Sequence, residues 1–191
     1  MSYTIAPFYK SEILKKVTVG NKVTTIGWKL FTLCTGLTDV VIPNSVTSIE
    51  YYAFNTCTSL NTINIPNSVT SIEEGILGEC TGLISATIGA NIYNLSNQLF
   101  HNCTNLTSVT ILEDIKTIGS GVFYNCKNLA DINANFSNVE YIDNYAFYNT
   151  LWYNNKPDGV IYIGKTLCGY KGTMPENTTI VVNEDTLSIS S

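Results

Sequence analysis

The chain has 191 residues, of which 45% are hydrophobic and 13% charged, and its formal net charge is −5. That length suits one domain with a buried core, and that balance excludes a disordered polyelectrolyte. All ten basic residues are lysines, so an acidic chain lacks both the phosphate neutralisation and the bidentate arginine on which nucleic-acid binding rests.

Residues 1–30 read as an N-terminal cap and first coil. Met1-Ser2-Tyr3-Thr4 shows no apolar leader segment, which predicts a protein that stays where it is made or one trimmed from a longer precursor. Leu14, Val17, Val19, Val23, Ile26 and Leu30 are the apolar positions of this coil, and Tyr3 to Ser11 is the segment expected to cap it. Lys10, Lys15, Lys16, Lys22 and Lys29 crowd here, with Glu12 the only acid before Asp39. The basic start reads as a solvated end face, with an anionic docking patch as the alternative.

Residues 31–150 form regular repeats. Phe31, Phe54, Leu77, Phe100 and Phe123 fall 23 residues apart, as do Cys34, Cys57, Cys80, Cys103 and Cys126, and Phe147 continues the first series. A fixed period of this kind means one supersecondary unit, repeated and stacked. In each unit, pairs such as Ile63-x-Ile65 and Val69-x-x-Ile72 are too short for helices, and their β-branched residues favour strands. Pro43 and Pro66 end the first strand, because proline donates nothing to a ladder. Ala53 to Cys57 is predicted to make one helical or 3₁₀ turn. A single coil cannot bury its apolar side, so the pattern predicts about seven coils stacked at the strand spacing of about 4.8 Å around one core.

After Phe147 the period fails. Residues 151–176 read as an insertion: a loop from Trp152 to Gly159, then strands Val160–Ile163 and Leu167–Tyr170 around Gly164-Lys165-Thr166, a hairpin signal. Residues 177–191 read as the start of a further, truncated coil through Ile180-Val181-Val182, Thr186 and Ile189. The whole is predicted to be one repeat domain.

Pro43-Asn44-Ser45-Val46-Thr47-Ser48-Ile49 returns unchanged as Pro66-Asn67-Ser68-Val69-Thr70-Ser71-Ile72. Joined to Ala53-Phe54-x-x-Cys57-x-x-Leu60, it resembles the BspA-type bacterial leucine-rich repeats over nearly the whole chain. The insertion, with Trp152-Tyr153, Pro157-Asp158-Gly159 and Tyr162-x-Gly164-Lys165, is similar to one within the same family. The resemblance implies an arc-shaped solenoid with parallel strands on its inner face. It also implies a cell-surface or secreted protein that binds host matrix, other cells or glycans. Leu77 departs from the pattern by replacing an aromatic residue, Gly89 and Leu112 by replacing Pro, and Thr150 by replacing a sixth Cys.

The sequence offers little equipment for catalysis. Its single histidine, His101, has no triad motif around it, and the pairs Glu73-Glu74, Glu113-Asp114 and Glu184-Asp185 fall at turns, where solvated charge is normal. No cysteine spacing suits a metal, and stacked cysteines at about 4.8 Å sit wider than a disulfide prefers. A buried, reduced ladder is expected, with Cys168 as the one candidate for a reactive thiol. No catalytic, cofactor or metal residue is assigned, and no membrane insertion is expected because no run reaches about 18 apolar residues.

What remains is surface. Thr18, Asp39 with Val41, Thr62 with Asn64, Ser85 with Thr87, Ser108 with Thr110, and Asp131 with Asn133 are expected to point outward from the inner strands. They form either a flat hydrogen-bonding face or simply a well-packed sheet. Tyr51, Tyr52, Tyr145 and Trp152 are the aromatic candidates, as binding platforms or as a cover for the core end. The leading expectation is a non-enzymatic adhesion or recognition module for a protein or glycan partner. The alternative is a structural spacer or assembly segment, and exposed coil ends also allow end-to-end self-association.

Overall fold

The computed structural model describes residues 6–190, so Tyr3 of the expected cap lies outside the described residues. The chain winds into a β-solenoid of about eight turns, built mostly of short parallel strands. The first coils carry β1 (Lys16–Thr18), β2 (Thr25–Ile26), β3 (Asp39–Val41), β4 (Ser48–Ile49), β5 (Thr62–Ile65) and β6 (Ser71–Ile72). The next three carry β7 (Ser85–Ile88), β8 (Asn94–Leu95), β9 (Ser108–Asp114), β10 (Thr117–Ile118), β11 (Asp131–Asn135) and β12 (Tyr141–Ile142).

First strands pair with first strands, in the order β11-β9-β7-β5 and, as a separate piece, β1-β3. Second strands pair likewise, as β2-β4-β6 and β8-β10-β12. Thr62, Ser85, Ser108 and Asp131 are Cα partners in one row, and Asn64, Thr87, Thr110 and Asn133 in the next. Alternation decides which side is buried. Ile63, Ala86, Val109 and Ile132, one residue from each first row member, point into the core. The β9–β11 register slips after Asn133, with two more residues on β9 than on β11 before Asp114 meets Asn135. There Asn135 accepts from the Ser137 amide and donates to Asp114, which closes the turn.

The turn after each second strand, expected over Ala53–Cys57 as one helical or 3₁₀ turn, is a run of turns and not a regular helix. It holds two left-handed residues four positions apart, for example Tyr52 (φ 56°) with Thr56 (φ 59°) and Gly121 (φ 61°) with Asn125 (φ 58°). Left-handed residues interrupt a helix, so the segment forms overlapping turns: Asn55 N–H to Tyr52 C=O, then Cys57 N–H to Phe54 C=O. Alternate residues of this segment then bond outward. Phe31, Phe54, Leu77, Phe100 and Phe123 each donate their N–H to the next coil, at Ala53, Ile76, Leu99, Val122 and Ala146.

The core runs unbroken from Ile26 to Ile163. Its axis is an aromatic column, with ring centroids 5.5 Å apart for Phe8–Phe31, 5.3 Å for Phe31–Phe54 and 5.6 Å for Phe100–Phe123, interrupted by Leu77. Phe8 begins that column, one period before Phe31. Close approach between coils also fixes small residues: a Cβ on Gly82 would lie 2.2 Å from the Thr58 carbonyl oxygen.

Beyond Phe147 the expected loop at Trp152 is instead a short helix, α1 (Leu151–Asn154). Thr150, in the place of the sixth cysteine, accepts from the Tyr153 N–H and so caps it. The hairpin follows as β13 (Gly159–Ile163) and β14 (Thr166–Lys171), joined by Gly164-Lys165. Its second strand re-enters the solenoid: Lys165 donates to Val139, and β14 pairs in parallel with β15 (Ser188–Ile189). Ile180-Val181-Val182 forms no strand, and Val181 and Val182 are exposed.

Candidate functional site

Three surfaces emerge from this frame, and the sequence candidates divide among them. The inner sheet brings together Thr62, Asn64, Ser85, Thr87, Ser108 and Thr110, with Asp131 and Asn133 at its far edge. All eight are polar, and strand spacing sets their rows about 4.8 Å apart. The result is a face of hydroxyls, amides and one carboxylate without a projecting ring. Thr18, Asp39 and Val41 lie on the separate β1–β3 piece, where Lys16 pairs with Asp39 at 2.6 Å. Lys16 on that terminal strand discourages edge-to-edge pairing.

The thiols are all free and, Cys168 apart, buried. Each ladder thiol donates to the carbonyl of the ring-column residue one coil earlier: Cys34 to Phe8 (3.0 Å), Cys80 to Phe54 (3.2 Å), Cys103 to Leu77 (3.1 Å) and Cys126 to Phe100 (3.0 Å). Burial holds their protons on, pushing Cys80 and Cys126 up to about 12 and Cys57 and Cys103 well above the ordinary range. Cys168 is half-buried against the hairpin and raised by burial to about 11, so it too is a poor nucleophile near neutrality. Among the described residues no group of His, Cys, Asp or Glu is arranged to hold a metal ion.

The second surface is a groove of about 430 Å³ where the outer turns meet β8 and β10. Tyr51 lines it, and Tyr52 follows Tyr51 in the same turn. The Tyr52 hydroxyl donates to Glu74 at 2.6 Å, and the Glu73 charge beside Tyr51 pushes that phenol's pKa up.

The third surface lies at the end of the regular coils. His101 stacks on Tyr124 (4.9 Å), Tyr124 on Tyr148 (5.1 Å), and Tyr145 stands edge-on to both tyrosines. Tyr145 is 65% exposed and Tyr148 55%. Beside the rings runs an amide ladder: Asn149 donates to Asn125 (2.7 Å), Asn125 to Asn102 (2.9 Å), and Asn102 to Glu79 (2.7 Å). His101 Nδ1 also meets Glu79, at 3.3 Å. Trp152 packs over the end of the core. Its ring lies 4.8 Å from Phe147, closing the aromatic column, and the Lys156 ammonium covers it at 3.9 Å. A second groove of about 430 Å³ opens here, between Tyr145–Asn149 on one side and Asn154, Cys168 and Ser190 on the other.

The asparagine ladder and the His101–Tyr124–Tyr148 stack were visible as 23- and 24-residue spacings. Their polar residue types, set in turns, gave no core signal that would have singled them out.

Comparison with known proteins agrees with this geometry. The pattern of the BspA type leucine rich repeat region matches residues 24–155, in six copies. The leucine-rich repeat protein of T. pallidum superposes with a TM-score of 0.66 at 26% identity, over 71% of this chain and 64% of its own. A leucine-rich repeat protein from Bacteroides ovatus gives 0.61 at 23% identity, over 78% of this chain and 44% of its own. One from Eubacterium ventriosum gives 0.61 at 22%, over 71% and 43%. The last two likenesses are of fold alone, and the chain spans less than two thirds of each of these proteins. No curated protein matches it at a significant level. Among the described residues no helix is long and apolar enough to cross a membrane.

Proposed function

The chain belongs to the BspA-type leucine-rich repeat family, and from that premise we propose that it is a non-enzymatic recognition module working at a cell surface or outside the cell. Its partner is a protein or a glycan, received along the inner sheet. The observation that supports this most is the pair of in-register rows Thr62–Ser85–Ser108–Asp131 and Asn64–Thr87–Thr110–Asn133. Eight small polar side chains on a continuous four-stranded sheet present donors and acceptors at a fixed pitch, with little side-chain entropy to lose on binding. The ladder thiols and the one histidine are meanwhile held in bonds to neighbouring coils, which fits the family's general character.

The test is a screen of the whole chain against glycans and extracellular matrix proteins, repeated with Thr87→Arg and Thr110→Arg. Binding that both substitutions abolish, with unchanged thermal unfolding, supports the reading. Binding that neither affects would move the site elsewhere. An empty screen with an intact fold favours the spacer instead.

A further inference from the structure

The sheet of second strands breaks once among the described residues, between β6 and β8. Ser96 bridges that break by donating its hydroxyl to the Glu73 carbonyl at 2.9 Å. The groove of about 430 Å³ beside β8 and β10 lies over the break. Its walls come from coils inside the regular stack, from Tyr51 to Asp143, and from neither end of the chain. The floor is low because Glu73 is followed, one and two periods on, by Ser96 and Gly119, before Asp143 closes the row. A Cβ on Gly119 would lie 2.5 Å from Asn97 Oδ1 and 2.9 Å from the Leu95 carbonyl oxygen, so the depression is built in. Tyr51 and Tyr141, 48% and 49% exposed, stand four coils apart at its two ends. At the strand pitch that separation is about 19 Å.

The polar groups between those rings are each anchored by one contact. Asn94 Oδ1 accepts the Thr117 hydroxyl (2.8 Å), and Asn97 Oδ1 accepts the Ser120 N–H (2.9 Å). Both side-chain NH2 groups are thereby oriented, and neither has a partner among the described residues. On the acceptor side, Glu74 Oε1 takes the Tyr52 hydroxyl (2.6 Å) and Asp143 Oδ1 the Asn144 N–H (2.7 Å), so each carboxylate keeps a second oxygen. No lysine lines the groove. We propose that it binds an oligosaccharide without acidic groups, whose end rings lie against Tyr51 and Tyr141. A sugar ring offers an apolar C–H face to an aromatic wall. Its hydroxyls both accept from amides and donate to carboxylates, which is the mixture this groove presents. Glu73, Glu74 and Asp143, with no cation among the lining residues, exclude an acidic glycan or a phosphate. A lysine-rich peptide would meet the carboxylates, but its ammonium groups only donate and leave the Asn94 and Asn97 amides unanswered. The site lies on the face of the second strands and does not depend on the reading of the inner sheet.

The probes are cellotetraose, mannotetraose and the N-acetylated chitin tetramer, each titrated into the whole chain and followed by NMR. At least one should bind with a Kd of about 1 mM or tighter and shift the amides of Asn94, Asn97 and Thr117. Tyr141→Ala removes one wall and should weaken that binding about tenfold, whereas Tyr141→Phe keeps the ring and the binding. Asp143→Asn retains the oxygen that holds the turn but not the charge, and should weaken binding by a similar factor. Both positions are partly exposed, so all three variants should unfold at the parent temperature. Thr87→Arg, on the inner sheet, should leave binding unchanged. The proposal is overturned if none of the three sugars binds, if their shifts fall only on the inner sheet, or if Tyr141→Ala binds as well as the parent. It is equally overturned if acetylated tetralysine binds at the same amides more tightly than every sugar, which would make the groove a site for a basic peptide.

Discussion

Cys57 donates its thiol hydrogen to the carbonyl oxygen of Phe31, 26 residues earlier in the chain, at 3.2 Å. The same oxygen also accepts the Cys34 amide, at 3.1 Å. Both lone pairs of a buried carbonyl are thus satisfied, one by its own coil and one by the next. Small size, a weak donor and tolerance of a dry site explain why cysteine recurs at this phase.

Because burial keeps the ladder thiols protonated, stability should depend on alkaline pH. An unfolded thiol ionises from about 8.5 upward, whereas folded Cys80 and Cys126 hold their protons to about 12. Between those values the folded state binds more protons, so stability is fully present below the lower limit and falls as pH rises. Each such thiol contributes a loss of up to about 1.4 kcal/mol per pH unit. Urea unfolding from pH 7.5 to 10 should show this decline, and the Cys80→Ala variant should show a shallower one.

Asn125 tests the amide ladder. It is left-handed (φ 58°) and bonds to Asn102 on one side and Asn149 on the other. Asn125→Gly removes both side-chain bonds but keeps the backbone comfortable, and should cost about 1–2 kcal/mol. Asn125→Ala adds the left-handed penalty and should cost about 1 kcal/mol more. Equal midpoints for the two variants in chemical denaturation would show that the backbone conformation carries no cost there.

Trp152→Ala should loosen one end of the solenoid and spare the other. The ring packs on Phe147 and Phe136, so its loss should cost about 3 kcal/mol locally. Stacked repeats contact only their neighbours, so hydrogen exchange should quicken in β13, β14 and the Phe147 coil while amides around Phe54 keep their protection.

Cys168 should be the first thiol to react. It is the one thiol outside the buried ladder, and access rather than acidity sets it apart. Under native conditions iodoacetamide followed by mass spectrometry should label it slowly and leave the other five unlabelled until denaturant is added.

The coil stack was legible because Phe31, Phe54 and Cys57 repeat with their chemistry intact. Phe8 keeps the same spacing, yet it sits in a segment without the strand pattern, so periodicity alone did not place it in the column. Thr150 looked like a failed cysteine; only the helix that follows shows it as a cap, and a four-residue helix is too short to register as a period. Asn102, Asn125 and Asn149 looked like turn filler, because a polar ladder depends on neighbours 23 or 24 residues away. The groove at Tyr145–Asn149 depends on where the hairpin leaves and re-enters, a tertiary event with no local signature.

The stacking itself is tested most directly by sulfur anomalous scattering from crystals of the whole chain. Five cysteine peaks should form one line at about the 4.8 Å strand spacing, with the Cys168 peak off the line. Cysteine peaks paired at about 2 Å, or scattered without a common axis, would contradict a solenoid whose equivalent side chains share one interior.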